Sequence, residues 1–477
     1  MPKSAQAKCV VFDVGKSFTK ASVVSVDGTV WAERKIRTPH LSTPLYRAFD
    51  VDAIYVWFIS QLRAFGQSYA IDRIIPVTHG ATCAFLDEHE QLIQPIQDYE
   101  SAVPTPYAQA YGQIRPDFYE TQSPHLPYGL NLGSQIYWHA RRDPGQFSRV
   151  RWILNYPQYW AWRLSGGLCN EVTSMGCHTD LWSPLKGCFS SLANDFFWAD
   201  RFPKMQSAWE TAGTLRSDIA KLVELPPSVR VCVGLHDSNA ALASVLMQAD
   251  PSQTAHASGK APALLSTGTW YIAMSPGAAV TPLESNRDCL ANVDVFGNPV
   301  PCARFMGGRV HTQFNRGFAG GLSGESVSEA ALRTILQGSA LAMPSFTDTG
   351  GPFPTLRGEI RGLSGATPEL KSALGMVYLA LMSSTCLDLV RAEDALLIEG
   401  PLAKHAHLCG LIAALRPGPV LVNAASNGVT QGAAALAFYG ESRPEPLTRN
   451  VVKPLLQKEI RQYESLWRSV VDAELAA

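Results

Sequence analysis

The sequence predicts a mixed α/β fold made of two similar halves with a cleft between them. Apolar runs and stretches of helical periodicity follow one another in the order strand, helix, strand, which is typical of α/β proteins. A strand–turn–strand unit opens the chain at residues 10–24 and recurs at 264–274. A chain of 477 residues is too long to fold around a single hydrophobic core, so two domains of roughly 200–250 residues are expected.

Composition limits the classes of partner. The chain has 46% hydrophobic and 17% charged residues, and its 40 basic and 41 acidic residues leave a net charge of −1. This balance gives no electrostatic case for nucleic acid or an anionic membrane as partner. The ten cysteines show no CxxC pair and no zinc-like spacing, which favours reduced, mostly buried thiols. No run suits a signal peptide or a membrane span, so a cytoplasmic protein is expected.

The opening stretch, residues 10–24, consists of two apolar runs separated by a short turn. Its candidate ligand-binding residues are Asp13, Gly15, Lys16, Ser17 and Lys20. Such a turn can offer backbone N–H groups, hydroxyls and a cation to a phosphate, while Asp13 can hold a hydrated magnesium ion. An ordinary hairpin whose polar residues satisfy the turn is the alternative. The stretch is not a Walker A loop, because Val10 stands where that motif requires glycine.

The remaining elements of the first half follow from periodicity and turn residues. Strands are expected at 29–37, 74–77, 84–86 and 229–235, and helices at 51–65, 133–140, 150–164 and 238–247. The pair Asp27-Gly28 predicts the hairpin turn before the third strand. Residues 95–130 lack periodicity and are rich in proline and tyrosine, which favours a binding flap or a cap on a pocket over an idle loop.

The second half begins after a predicted linker. Residues 249–261 are polar with glycine and proline, so the domain boundary is placed between residues 248 and 249. Strands are then expected at 264–266, 270–274, 395–398 and 420–422, and helices at 373–390, 430–439 and 452–471. The last helix is expected to bury the stripe Leu455, Leu456, Ile460, Tyr463 and Leu466.

Three short motifs, taken in order, resemble those of the FGGY carbohydrate kinases within the actin-like and hexokinase-like phosphotransferases. They are Asp13-Val-Gly-Lys-Ser-Phe-Thr-Lys20, similar to the first phosphate motif, Gly234-Leu-His-Asp237-Ser238, similar to the catalytic-aspartate motif, and Ser266-Thr267-Gly268-Thr269-Trp270, similar to the second phosphate motif. No single motif is specific, but the ordered set matches along nearly the whole chain. The forms of the second and third motifs are most like the rhamnulokinase and L-fuculokinase branch.

The resemblance implies two actin-like (ribonuclease H-like) domains with the active site in the cleft between them. Residues 1–248 would bind the sugar and carry the catalytic aspartate, and residues 249–477 would bind the nucleotide. The implied reaction transfers the γ-phosphate of ATP, with Mg²⁺, to a hydroxyl of a ketose, a deoxyketohexulose such as L-fuculose or L-rhamnulose. The alternatives are a kinase for another polyol or a sugar acid, of the xylulose or glycerol type, and a non-catalytic sugar or nucleotide sensor. The expected partner is a small-molecule sugar rather than nucleic acid or membrane, and a homodimer is left open.

Asp237 would be the catalytic base under this resemblance. A sugar hydroxyl is a poor nucleophile, and a carboxylate that accepts its proton is typically worth about 10²–10⁴ in rate. Its pKa need not be raised, because positioning and charge neutralisation dominate in a loose phosphoryl-transfer transition state. The alternative is an aspartate that only caps the following helix.

The family roles are carried over residue by residue. Magnesium is assigned to Asp13 and Asp237. Phosphate and nucleotide contacts are assigned to Gly15, Lys16, Ser17, Lys20, Thr267, Gly268, Thr269, Gly308, Gly400 and Asn427. Sugar contacts are assigned to Thr78, His79, Gly80, Asp98, His236 and Asp237, with a purely structural histidine as the alternative for His236.

Two segments depart from the family pattern. Gln94–Glu100 resembles a segment that usually contains Trp-x-Asp-x-Arg, but the Trp and Arg are missing and Glu100 lies near the place of the cation. Glu399-Gly400-Pro401 stands where family members often have Gly-Gly followed by Asn or Ser. The first departure leaves the identity of the sugar open. The second leaves open whether Gly400 and Asn427 contact the adenosine or only mark helix starts.

Overall fold

The computed structural model describes residues 8–247, 261–318, 327–347, 350–423, 427–441 and 449–477. The chain divides into two compact units. The first consists of Met1–Gln248, Ala291–Pro299 and Gly428–Pro446, and the second of Ala249–Leu290, Val300–Asn427 and Leu447–Ala477. The linker predicted at 249–261 lies, except for residue 261, outside the described residues. The boundary predicted for the sugar-binding and nucleotide-binding domains stays a prediction.

The first unit is organised around a seven-stranded sheet, and the opening strand meander is confirmed. The strand order is Thr211–Thr214, Arg230–Cys232, Ile71–Thr78, Lys8–Val14, Phe18–Ser25 and Val30–Arg37, with Leu235–His236 also paired to Ile71–Thr78. Lys8–Val14 runs parallel to Ile71–Thr78 and antiparallel to Phe18–Ser25. Shorter ladders pair His40–Ser42 with Arg47–Phe49, Cys83–Leu86 with Trp152–Asn155, and Trp182–Ser183 with Cys188–Phe189.

Aromatic packing joins this sheet to its helices. Phe12 stacks on Phe58 with ring centroids 3.6 Å apart and meets the edge of Trp160 at 5.1 Å. All three side chains are fully buried, so the first strand packs against helices Val51–Ser68 and Tyr156–Ser165. The other helices of the unit are Thr105–Gly112, Phe118–Thr121, Leu132–Arg142, Pro144–Ser148, Val172–Met175, Ser191–Asp195, Ser217–Val223, Asp237–Leu246 and Gly428–Ala437.

The second unit repeats the topology of the first. Six neighbouring strands of its seven-stranded sheet follow the order Pro299–Phe305, Tyr271–Met274, Ala263–Thr267, Leu396–Glu399, Val420–Asn423 and Arg449–Val451. Ala263–Thr267 runs antiparallel to Tyr271–Met274 and parallel to Leu396–Glu399, as the first strand of the chain does to its own two neighbours. The predicted recurrence of the opening unit is therefore confirmed. Helices of this unit are Gly307–Thr312, Glu329–Gln337, Pro368–Leu389, Ala406–Leu415 and Gln457–Ala476, with a π-helical turn at Gln313–Phe318 and a ladder of Leu341–Met343 with Glu359–Arg361.

One helix corrects the expectation that no stretch could span a membrane. Within the described parts of the chain, Pro368–Leu389 is long and apolar enough to do so by length and composition, although 89% of its most apolar window is buried inside the fold. A helix that is apolar on all sides is also what the core of a large domain requires. The burial of Pro368–Leu389 is that of such a core helix.

The cysteines agree with the prediction of mostly buried thiols. All ten lie within the described residues, none is in a disulfide, and only Cys188 is exposed. Burial raises the pKa of the Cys232 thiol to about 12. Such a thiol stays protonated at neutral pH and is a poor nucleophile.

Two predicted elements of the first unit were wrong in detail. Residues 152–155 form a strand paired with Cys83–Leu86, so the helix expected from residue 150 begins only at Tyr156. The strand expected at 229–235 is interrupted at Gly234, whose φ is +82°. A Cβ there would lie 2.3 Å from the Pro76 carbonyl oxygen, so the chain bends where only glycine fits.

Residues 95–130, predicted to be a binding flap or a cap on a pocket, contain the short helices Thr105–Gly112 and Phe118–Thr121, and their role stays a prediction. One further prediction failed because tertiary packing overrides local pattern. The last helix starts at Gln457, after Leu455 and Leu456, and Leu466 is 45% exposed. Its buried stripe is Ile460, Tyr463, Trp467 and Val471.

Candidate functional site

The carboxyl ends of three parallel strands meet at one edge of the first sheet. Val14 pairs with Thr78 on one side, and His236 pairs with Thr78 on the other. Asp13 precedes Val14 in the first strand, and Asp237 directly follows His236. Residues separated by more than 200 positions in sequence are thereby brought to one place. The predicted base, the predicted magnesium ligand and the first sugar residue share this edge.

Asp13 and Asp237 influence each other electrostatically. The pKa of Asp237 is raised to about 6, first by burial and then by the negative charge of Asp13, although 31% of its side chain is exposed. Lys20 Nζ lies 2.8 Å from Asp13 Oδ2, opposite it in the hairpin register. The charges of Asp13 and, more weakly, Asp237 raise the pKa of Lys20. Two carboxylates and one ammonium group therefore form a single charge cluster.

Asp237 is the first residue of the helix Asp237–Leu246. Its Oδ1 accepts the Ser238 N–H at 2.6 Å and lies 3.2 Å from His236 Nε2. The alternative of a helix-capping aspartate thus describes part of what this carboxylate does. A carboxylate has about four acceptor positions, so the contact with its own first turn leaves capacity for a proton or a ligand.

His79 offers a hydrogen-bond acceptor at the same edge. Its Nδ1 lies 2.9 Å from the Gly80 carbonyl, which can only accept, so Nδ1 carries the proton. Burial lowers the pKa of His79 to about 4, and the ring is neutral at physiological pH. Nε2 is buried and has no hydrogen-bond partner within the described parts of the chain. A substrate hydroxyl is a suitable donor for this nitrogen.

Gly80 and Thr78 shape the space around the two histidines. A Cβ at Gly80 would lie 3.1 Å from His236 Nε2, so a larger residue would press on that ring. The Thr78 hydroxyl donates to the His79 carbonyl at 2.9 Å. The assignment of these residues to sugar contacts stays a prediction, and their packing is compatible with it.

Asp98 lies in a second charge cluster of the same unit. Its side chain is fully buried, and the Lys16 ammonium group contacts both carboxylate oxygens. Lys16 Nζ also lies 3.4 Å from Glu100 Oε2. Lys16 was predicted to contact phosphate together with Gly15 and the exposed Ser17. That assignment stays a prediction, but the contacts of Lys16 are with a predicted sugar residue.

The donor set fits a hydrated magnesium ion. Among the residues that the structure describes, no group of three or more His, Cys, Asp or Glu could hold a metal. Mg²⁺ is usually bound through one or two carboxylates and keeps several waters or phosphate oxygens as its other ligands. Asp13 and Asp237 would supply the two carboxylates, and Asp13 is also paired with Lys20 Nζ at 2.8 Å.

Close backbone contacts in the second unit gather five of its predicted nucleotide residues: Thr267, Gly268, Thr269, Gly308 and Gly400. A Cβ at Gly308 would lie 2.2 Å from the Gly268 carbonyl oxygen, and the Gly308 N–H donates to the Thr269 carbonyl at 3.2 Å. A Cβ at Gly400, whose φ is +94°, would lie 2.2 Å from the Thr267 carbonyl oxygen. The turn Thr267-Gly268-Thr269 therefore packs directly against Gly308 and Gly400, where a side chain would not fit.

The Thr267 hydroxyl already has partners in the protein. It donates to the Glu399 carbonyl and accepts the Leu402 N–H at 3.3 Å, and the residue is buried. Gly268 and Thr269 are exposed. The exposed part of the turn is therefore better suited to a phosphate than the Thr267 hydroxyl. Asn427 is half-buried, and its assignment to the base stays a prediction.

Two residues that were not assigned from sequence are linked to the predicted base. Thr173 accepts the His236 N–H at 3.1 Å and donates its hydroxyl to Glu171 Oε2 at 2.7 Å. Glu171 is fully buried, and burial raises its pKa to about 7. The segment Asn170-Glu171-Val172-Thr173 is part of the resemblance to the FGGY carbohydrate kinases, but spacing alone cannot show that it contacts the residue before Asp237.

We expect Glu171→Gln to change how stability depends on pH. Because the folded pKa of Glu171 is raised, from 4.5 to about 7, its stabilising contribution is present below pH 4.5 and is lost as pH rises through 7. Glutamine has no such titration and can still accept the Thr173 hydroxyl. The variant should therefore gain up to about 3 kcal/mol relative to wild type between pH 5 and pH 8.

Thermal melts of both proteins at pH 5, 6, 7 and 8 test this expectation. The exposed Glu393 provides the control. The melting temperature of Glu393→Gln should differ from that of wild type by the same amount at every pH. A difference between Glu171→Gln and wild type that stays constant from pH 5 to pH 8 would contradict it.

Comparisons with known proteins identify the family. Residues 9–244 match the FGGY family of carbohydrate kinases, N-terminal domain, and residues 259–446 match the carbohydrate kinase FGGY, C-terminal domain. A search of curated proteins found no match. A solved carbohydrate kinase from Novosphingobium aromaticivorans is 32% identical, with a TM-score of 0.87, and the alignment covers 98% of this chain and 99% of that chain.

More distant structures share the fold. A ligand-bound xylulose kinase and a gluconate kinase, both from Lactobacillus acidophilus, are each 13% identical with TM-scores of 0.81, and the alignments cover 99% of this chain and 99% and 98% of theirs. At such identity the likeness shows the fold alone. The rhamnulokinase and L-fuculokinase branch therefore stays a prediction, whereas the two-domain actin-like fold is confirmed. The chain belongs to the FGGY family of carbohydrate kinases, which are phosphotransferases that use ATP and have an alcohol group as acceptor.

Proposed function

We propose that this kinase transfers the γ-phosphate of ATP to a hydroxyl of a ketose, a deoxyketohexulose such as L-fuculose or L-rhamnulose, in the cytoplasm. The observation that carries the proposal is the edge of the first sheet, where Asp13 lies next to the end of one parallel strand and His79 and Asp237 directly follow two others. Polar groups at the carboxyl ends of parallel strands are where α/β folds usually bind ligands. The branch of the family rests on the form of the motifs around Asp237 and Thr267.

Asp237 acts as the base in this proposal. The acceptor oxygen forms a bond to the γ-phosphorus, the bond from that phosphorus to the bridging oxygen of ADP breaks, and the hydroxyl proton moves to the Asp237 carboxylate. A pKa of about 6 suits this role, because the group is mostly ionised at neutral pH and is a stronger base than an ordinary aspartate. His79 Nε2 would accept a hydrogen bond from a second hydroxyl of the sugar and orient it.

The remaining residues would bind the phosphates. Gly15, Ser17 and Lys20 are proposed to contact them, as is the exposed turn Gly268-Thr269. Mg²⁺, held by Asp13 and Asp237, would neutralise phosphate charge. Gly308, Gly400 and Asn427 are proposed to line the nucleotide because the two glycines permit close backbone approach.

A coupled assay of ADP release with a panel of acceptors tests the proposal. The panel contains L-fuculose, L-rhamnulose, D-xylulose, glycerol and D-gluconate, each at several concentrations with MgATP. We expect release with L-fuculose or L-rhamnulose at a rate about 100-fold above the hydrolysis seen without acceptor. Greater efficiency with D-xylulose, glycerol or D-gluconate would replace the proposed acceptor while leaving the family unchanged.

A further inference from the structure

The cation missing from the Gln94–Glu100 segment is supplied from another part of the chain. Glu100 occupies the place near which related segments have arginine. In the structure, the ammonium group of Lys16, from the opening turn, contacts Asp98 and lies 3.4 Å from Glu100 Oε2. The pair Lys16 and Glu100 thus brings one positive and one negative charge to a place where the usual motif brings only a positive one.

Among the residues that the structure describes, the ion pairs around Asp98 join two positive and two negative side chains. Arg47 Nε lies 3.6 Å from the Asp98 carboxylate and His40 Nε2 lies 3.5 Å from it. Burial and Arg47 lower the pKa of His40, so the imidazole is uncharged at pH 7. The cluster therefore contains two cations, Lys16 and Arg47, and two carboxylates, Asp98 and Glu100.

Aromatic rings connect this cluster to the predicted sugar site. Lys16 Nζ lies 5.1 Å from the centre of the Tyr99 ring and 5.7 Å from that of Phe49. The His79 ring contacts both, at 4.9 Å from Phe49 and 5.1 Å from Tyr99. The acceptor nitrogen of His79 and the balanced charges around Asp98 therefore belong to one neighbourhood within the first unit.

We propose that Lys16 and Glu100 together determine acceptor specificity, by keeping the part of the sugar site around Asp98 without net charge so that it takes a neutral polyhydroxy acceptor and rejects a sugar acid. The inference rests on the proposed function, whose site and reaction it narrows. Hydroxyl groups can donate to the carboxylates and accept from the ammonium group. The carboxylate of a sugar acid would lose its hydration without a surplus cation to compensate.

Glu100→Gln tests the balance, because it removes one negative charge, keeps the shape and leaves Lys16 in surplus. We expect wild type to prefer the best neutral ketose of the panel to D-gluconate by about 100-fold in kcat/KM. Glu100→Gln should lower this preference by about tenfold. The matched control is Glu88→Gln, at a carboxylate whose side chain is 80% exposed and remote from these contacts, and it should leave the preference unchanged.

Two Lys16 variants separate the acceptor role from the phosphate role. Lys16→Met should raise KM for the ketose by about tenfold and leave KM for ATP unchanged. Lys16→Arg keeps the positive charge, so its KM for the ketose should be close to that of wild type. Melting temperatures check that each variant is folded. The inference is overturned if Glu100→Gln leaves the preference at the wild-type value, or if Lys16→Met raises KM for ATP rather than for the ketose.

Binding measurements keep this inference distinct from the proposed reaction. Calorimetric titration of wild type and Glu100→Gln with the ketoses and D-gluconate, without ATP, reports the preference even if no acceptor is phosphorylated. Tighter wild-type binding of D-gluconate than of every neutral ketose would overturn the inference. Absence of acceptor-dependent ADP release, with selective binding of a neutral ketose, would instead contradict the proposed function alone.

Discussion

Asp237→Asn is expected to lower kcat by about 10²–10⁴-fold while leaving ATP binding intact. Asparagine is nearly the same size and can still accept the Ser238 N–H, so the start of the helix Asp237–Leu246 is preserved. It cannot accept a proton from the acceptor hydroxyl at neutral pH, so the base is lost. Steady-state kinetics with the best acceptor and titration with ATP measure the two effects separately.

Asp218→Asn is the matched control for this variant. Asp218 is also in the first turn of a helix, Ser217–Val223, but is exposed, and its substitution should leave kcat unchanged. The same base predicts that kcat/KM of wild type falls as pH drops below about 6, where the Asp237 carboxylate takes up a proton. Turnover of Asp237→Asn near the wild-type rate would remove Asp237 from its proposed role.

Gly432→Ala is expected to destabilise the first unit by about 1–3 kcal/mol or more. Gly432 lies in the helix Gly428–Ala437, which packs against Asp237–Leu246. A Cβ at Gly432 would lie 1.8 Å from the Ala240 carbonyl oxygen and 2.8 Å from the Ser244 nitrogen. Both obstacles are backbone atoms, so the helices must separate. Because the helix Asp237–Leu246 begins with the proposed base, we expect both kcat and the melting temperature to fall.

The sign of this effect is informative. Alanine in place of glycine normally stabilises a helix by about 0.5–1 kcal/mol. Gly145→Ala serves as the control, since Gly145 is exposed in the helix Pro144–Ser148 and the nearest atom to its Cβ would be 3.6 Å away. Chemical denaturation of both variants gives the comparison. An unchanged or higher stability of Gly432→Ala would contradict the close packing of the two helices.

Elements with strong local signals were predicted well from sequence. Alternating apolar runs with tight turns predicted the opening hairpin, and helical spacing predicted Val51–Ser68, because period and turn chemistry are properties of neighbouring residues. Elements whose state depends on distant partners were not. The apolar residues of Trp152–Asn155 would suit either a helix or a strand. The pairing of this segment with Cys83–Leu86 makes it a strand.

The sequence by itself determined the family, the candidate base Asp237 and the repeated unit at Thr267, because ordered motifs record which residue types the chemistry needs. Only the tertiary structure decided that Lys16 contacts Asp98 and Glu100, and that Glu171 is buried behind Thr173 and His236. These contacts join residues far apart in the chain. Their charges and pKa values depend on burial and distance, which exist only once the strands have brought those residues together.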